Sequence, residues 1–173
     1  MRSRSFRSQA CGSYLGRRAY SVTCRTADGR RCLTHAATVL PARAQLVQLA
    51  RDERFALLAY CFMPDHVRLL VEGTSPASDL PRLIARWKQR TELLTSARLW
   101  QAGFSDRVLA PDEDRLAAAR HILATPVRDG LVASLLDYPY WGSAAWSRAE
   151  LVNALFEGGR SLRTLAARER PAT

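Results

Sequence analysis

The stretch LLAYCFMPDHVRLLVE, residues 57–72, restricts what this chain can fold into more than any other. Two apolar runs, residues 57–63 and 67–71, flank the dipeptide Pro64-Asp65. Short runs rich in aliphatic and aromatic side chains, split by a Pro-Asp turn signal, read as two adjacent antiparallel strands. Their low charge places them centrally in a sheet. His66 and Arg68 stand two residues apart at the start of the second run, so strand alternation puts both on one sheet face. A polar pair aimed together from a central strand calls for a bound group to explain it.

The 173 residues are enough for one domain with a real core. A hydrophobic content of 47% is ordinary for a globular chain and argues against wholesale disorder. The net charge is +10, and Lys88 is the only lysine, so nearly all of the positive charge is Arg. Guanidinium forks suit phosphate, and the excess of base over acid favours a polyanionic partner. The cysteines, Cys11, Cys24, Cys32 and Cys61, have neither CxxC pairing nor zinc spacing with the histidines, and read as ordinary thiols of a reducing compartment. The basic N-terminus MRSRSFRSQ is followed by no apolar run, and no stretch approaches transmembrane length. A cytoplasmic protein without membrane partners is expected.

In chain order, residues 1–16 read as a mobile basic arm. Residues 18–25, RAYSVTCR, form a first strand. A helix over 36–51 follows, with Leu40, Leu46, Val47 and Leu49 as its apolar side and Pro41 near or delaying its start. After the strand pair, Ser75-Pro76 opens a helix to about Thr95, with Leu80, Leu83, Ile84, Trp87 and Leu94 buried. Residues 99–109 read as a strand bent around Gly103. A helix from about Glu113 to Ala124 is ended by Pro126, residues 131–140 are mostly loop, and 147–156 form a short helix. The order βαββαβ predicts an α/β (α+β) fold of the ferredoxin-like kind: one four-stranded antiparallel sheet, helices on one face, and extra C-terminal helices. The domain is expected over 17–146, with a helical extension over 147–173.

With these segments in place, the chain resembles the REP-associated tyrosine transposases, within the single-tyrosine HUH transposases. YSVTCR at 20–25 resembles the family's opening strand, and AYCFMPDHVRLLV at 59–71 its strand pair with the metal-binding HxH. LWQAGFSDRVL at 99–109 resembles LWQxxFxDHV. HILATPVRDGLV at 121–132, with DYPYWGS at 137–143, resembles YIxxNPVRAGLV and the aromatic loop after it. All four occur in family order, over roughly 18–143, which makes the signal far more specific than any one of them. The resemblance implies a protein that binds single-stranded or hairpin DNA. It also implies metal-dependent cleavage and strand transfer: two histidines and a helix residue hold Mg or Mn, the metal polarises a phosphate, and a tyrosine attacks it. It leaves the oligomeric state open.

The catalytic positions depart from that pattern. His66 keeps the first histidine and is the metal candidate; Arg68 replaces the second, His121 the tyrosine and Thr125 the Asn. Arg is permanently protonated and cannot ligate a metal. No cofactor is therefore expected in this copy, and the preferred expectation is DNA binding with cleavage lost or weakened. One alternative is a rewired nuclease in which Arg68 supplies the charge at the phosphate and His121 acts as nucleophile or base. Another is a ferredoxin-like RNA-binding module that stacks bases on Tyr20, Tyr60 and Phe62. The four residues His66, Arg68, His121 and Thr125 are expected in one pocket, and Arg25, Arg86, Lys88, Arg90, Arg107 and Arg128 on the DNA backbone. Simpler roles compete with these: Arg68 could pair with Glu72, the Arg82/Arg86/Arg90 row could be a solvated helix face, and the tryptophans could be core packing.

Overall fold

A computed structural model describes residues 14–156. Most of the basic arm and the tail beyond 156 lie outside the described residues. The elements run β1 (Ala19–Arg25), α1 (Ala36–Asp52), β2 (Phe55–Phe62), β3 (His66–Gly73), α2 (Leu80–Thr95), β4 (Ser105–Val108), α3 (Arg115–Leu123), α4 (Thr125–Arg128), β5 (Trp141–Gly142) and α5 (Arg148–Phe156). All strand pairs are antiparallel, in the order β4-β1-β3-β2-β5. The first four strands thus have ferredoxin-like order, with β3 at the centre. The two-residue β5 makes a five-stranded sheet of the four expected.

Alternation assigns the two faces. Tyr20, Val22 and Cys24 of β1 and Val67, Leu69 and Val71 of β3 are buried with α1 and α2 on one face. Ala59, Cys61, Met63 and Leu70 point the other way and pack with Ala118, Ala119, Ile122 and Leu123 of α3. A register shift at Leu58 lets the neighbours Leu58 and Ala59 both face α3, which strict alternation forbids. The two crossover helices therefore share one face, as expected, while α3 covers β2 and part of β3 from the other.

The core of the helix side is aromatic. Trp87 is fully buried, and its indole N–H donates to the Ala42 carbonyl at 2.8 Å. Its ring lies 4.7 Å from that of Trp100 and meets Phe62 edge-on at 6.2 Å.

Several local expectations are corrected. The second crossover helix starts at Leu80 rather than at Ser75-Pro76. The Ser78 hydroxyl bonds back to the Arg54 carbonyl in a turn, and the Asp79 carboxylate caps the Arg82 N–H at 3.1 Å. Leu94 is exposed and Thr91 is buried in its place, its hydroxyl satisfied by the Trp87 carbonyl. Leu40 is likewise exposed, with Val39 and Ala42 inside. Pro41 lies within α1, which begins at Ala36 regardless. The strand expected over 99–109 pairs only from Ser105, apart from a bridge of Trp100 to Thr26. The chain leaves the sheet in between, where Gly103 takes φ +71°. Tyr14, placed in the mobile arm from sequence, is buried, and its hydroxyl donates to Asp106 at 3.0 Å.

Trp87 joins α1, α2 and the sheet, so truncating it removes core from all three. Trp87→Ala is expected to cost about 3–5 kcal/mol of stability, read from the midpoint of a guanidinium unfolding curve. An unchanged midpoint would show that the ring carries no such packing.

Candidate functional site

The site lies where β3 begins, on the α3 side of the sheet but beyond the part that α3 covers. Its position is set by the turn before it. The Pro64 carbonyl accepts from the Leu33 N–H at 3.0 Å, and the Asp65 carbonyl accepts from the Thr26 N–H at 2.9 Å. Both turn carbonyls are thus tied to buried residues, and His66 starts its strand from a fixed point. The Nδ1 of His66 lies 2.7 Å from the Asp65 carboxylate. Burial pushes that carboxyl up, but the hydrogen bond and charge of His66, with Arg25 behind, hold it below its ordinary value. An ionised carboxylate only accepts, so Nδ1 carries a proton and the ring is held in one orientation.

Two residues on, Arg68 Nη1 donates to Thr125 Oγ1 at 3.0 Å. Local chemistry explains why Thr125 stands there. Pro126 has no N–H, which leaves the Ile122 carbonyl without its usual helical donor. The Thr125 hydroxyl donates to it at 2.6 Å instead. Arg128, one turn along α4, places Nη2 3.5 Å from the same oxygen. One donor and two acceptor directions are all that a hydroxyl has, and all three are taken. Two guanidinium groups therefore converge on one buried oxygen. Burial, and then the charge of Arg128, lowers the pKa of Arg68, yet an arginine stays charged at neutral pH.

The sheet register extends the site sideways. Thr23 of β1 and Cys61 of β2 lie directly opposite Arg68, and Arg25 opposite His66. Burial pushes the Cys61 thiol up to about 12, so it is no nucleophile at neutral pH. Glu72 does not pair with Arg68. It accepts from Arg115 of α3 at 3.1 Å, at the far end of β3.

His121 differs from Thr125 in burial. It is exposed on the last turn of α3, while Thr125 is 2% exposed. The sheet-facing side of α3 is taken by Ala118, Ala119, Ile122 and Leu123, and the helix is interrupted at Ala124. The i, i+4 spacing therefore does not give the two residues one environment.

The remaining backbone-binding candidates divide by face. Arg86 and Arg82 both bond the buried Glu53, Lys88 donates to the carbonyls of Gln101 and Gly103, and Arg90 lies 3.5 Å from Gln45. All of these belong to α2, across the sheet from His66, and hold the fold together. Burial lowers the pKa of Lys88. Arg107 is exposed but holds Glu113 through two bonds of 2.8 and 2.7 Å. Arg25 and Arg128 are the two that stand beside His66 and Arg68. Tyr20, Tyr60 and Phe62 are buried under the helix layer, which leaves no ring face for a base. Trp87, Trp100 and Trp141 are buried as core.

Mg or Mn does not suit this donor set. Arg68 puts a cation where a ligand would have to be, Thr125 has no lone pair to spare, and His66 offers a single nitrogen. Among the described residues, no three His, Cys, Asp or Glu side chains stand together as a metal cluster. Thr23 and the Thr125–Ile122 bond went unread in sequence. Counting back by two from Arg25 would have flagged Thr23, whereas nothing local announces which strand residue Thr125 meets.

No family model matches the chain. A protein of Haemophilus influenzae that carries the provisional name REP-associated tyrosine transposase is 23% identical over 113 residues, covering 57% of this chain and 64% of the relative. The REP-associated tyrosine transposase of Escherichia coli is 24% identical over 102 residues, covering 57% of this chain and 60% of its own length. The chain thus spans less than two thirds of either relative. A solved REP-associated tyrosine transposase, bound to a REP hairpin, superposes with a TM-score of 0.68 at 18% identity, over 78% of this chain and 81% of the other. In sequence over rather more than half of its length, and in fold over most of it, the chain is similar to the REP-associated tyrosine transposases.

Proposed function

We propose that this chain binds DNA, single-stranded or as a hairpin, across the uncovered half of its sheet, and that it has lost metal-dependent cleavage. The observation that carries the reading is the convergence of Arg68 and Arg128 on the Thr125 hydroxyl, with Arg25 and His66 beside them. Guanidinium groups gathered at one neutral oxygen suit a phosphate, which both can hold by charge-assisted forks. The net charge of +10 adds long-range attraction. Support for DNA as the polyanion comes from the relatives' names and from the hairpin held by the structural neighbour.

What these residues do is bind and orient. Arg68 and Arg128 hold a phosphate, Thr125 fixes the angle between them, and Asp65 fixes the orientation of the His66 ring. The family metal would polarise the phosphate for attack; here Arg68 supplies fixed charge at that place. Position 121 holds a histidine and no tyrosine, and that histidine is exposed whereas Thr125 is buried.

In mobility-shift titrations at low salt, the wild type is expected to bind a hairpin with a single-stranded flank. Arg68→Ala and Arg128→Ala should each weaken binding by roughly ten- to a hundredfold, the equivalent of about 1.5–3 kcal/mol per charged hydrogen bond. Each should also flatten the slope of log K against log salt by about 0.7–0.9 for every phosphate that the variant leaves unneutralised. Arg90→Ala should leave that slope unchanged. Failure of the wild type to shift hairpin or duplex DNA at micromolar protein would end this reading.

Cleavage gives a separate check. Wild type incubated with hairpin DNA and Mn²⁺ should leave it intact and form no covalent adduct. Arg68→His alone should restore metal binding in part, and Arg68→His with His121→Tyr and Thr125→Asn is the smallest set expected to cleave. Metal-independent nicking by wild type, abolished in Arg68→Ala and His121→Ala, would instead establish the rewired nuclease.

A further inference from the structure

Between Trp100 and Ser105 the chain swings out of the sheet beside β1. It leaves a shallow, open recess lined by Thr23, Arg25 and residues 101–105. The polarity of this segment is set from the opposite side. Lys88, on α2, donates to the carbonyls of Gln101 and Gly103 and so draws both oxygens toward the helix layer. A trans peptide places its N–H opposite its carbonyl. The N–H groups of Ala102 and Phe104 therefore point away from Lys88, toward the side on which Thr23 and Arg25 stand. Gly103, at φ +71°, lets the chain turn between them. Backbone N–H groups turned outward in succession make an anion-binding concavity.

The side chains around the recess agree. The hydroxyls of Thr23 and Ser105 stand opposite each other in the β1–β4 register, and the exposed Arg25 closes the recess beyond them. The acid of this strand end, Asp106, points to the other face, where it accepts from Tyr14. Asp65, near Arg25, is engaged by His66.

We infer that this recess is a second phosphate seat, built from the Ala102 and Phe104 amides, the Thr23 and Ser105 hydroxyls and Arg25, and held in shape by Lys88 from across the sheet. Thr23 is the direct neighbour of both Arg68 and Ser105. The two seats are thus two strand spacings apart, about 10 Å, and a nucleic-acid backbone would cross the strands at right angles in passing from one to the other. As a seat for a DNA phosphate the inference rests on the function proposed above. As an anion site it stands on the recess alone. Lys88 is a positioning residue here: its ammonium contacts protein carbonyls, and the phosphate would lie on the opposite side of them.

The test is a titration of ¹⁵N-labelled protein, first with inorganic phosphate and then with the flanked hairpin, followed by amide chemical shifts. Inorganic phosphate should move the Ala102 and Phe104 resonances along saturating curves. Arg25→Gln, an exposed change that leaves the core alone, should weaken that response about tenfold. Lys88→Met should abolish it without moving the resonances of the core strands, and Lys88→Arg, whose fork can reach both carbonyls, should restore it. If phosphate leaves Ala102 and Phe104 unmoved in the wild type, the seat does not exist. In the hairpin arm, wild type that binds the hairpin, with that binding lost in Arg68→Ala, yet leaves Ala102 and Phe104 unmoved would overturn the second seat as a seat for DNA phosphate and leave the DNA-binding reading standing. A phosphate response with no hairpin binding at all would keep the seat and remove that reading.

Discussion

Strand β3 has a neighbour on either side and helices above and below, and this enclosure governs where the molecule can place charge. Val67, Leu69, Leu70 and Val71 are all buried, because a charged group in the middle of the strand would have no water and no room for a partner. Polar side chains survive only at its ends. Glu72 at one end is neutralised by Arg115 of α3. His66 and Arg68 at the other lie beyond the apolar cover of α3, where Thr125 and the Asp65 carboxylate meet them. The candidate site is thus the end of the central strand that α3 does not cover.

The Thr125 hydroxyl is small but has three tasks. It repairs the hydrogen bond that Pro126 removes from the helix, accepts from Arg68, and stands at the edge of reach of Arg128. A donor set for a divalent cation needs free lone pairs on oxygen or nitrogen. This one ends in guanidinium protons, which are donors and not ligands. Holding a phosphate and activating it for attack are separable tasks, and the geometry suits the first.

The central hairpin, the order of elements and the shared face of His66 and Arg68 were legible because they depend on local chemistry: alternation, the Pro-Asp turn, and runs of apolar residues. Errors came where tertiary structure overrode a local signal. Ser75-Pro76 has the look of a helix start, yet the Ser78 hydroxyl is drawn back to the Arg54 carbonyl and Asp79 makes the cap. Leu94 continues the helical stripe but overhangs the end of the layer, so it is exposed. Arg86, Lys88 and Arg90 have the charge that a DNA backbone attracts. Only the fold reveals that Arg86 neutralises the buried Glu53, that Lys88 holds a loop, and that Arg90 faces Gln45.

By itself the sequence determined the pairing of β2 with β3, the presence of His66 and Arg68 on one face, the absence of a tyrosine at 121, and the excess of positive charge. Each is a property of residue identity or of spacing within one element. Tertiary structure alone decided that Arg68 meets Thr125 across 57 positions of chain, that His121 stays outside while Thr125 goes in, and that β1 brings Arg25 and Thr23 beside them. Those outcomes depend on which apolar side of α3 the sheet accepts and on the register between strands distant in sequence. Periodicity within a single element carries no information about either.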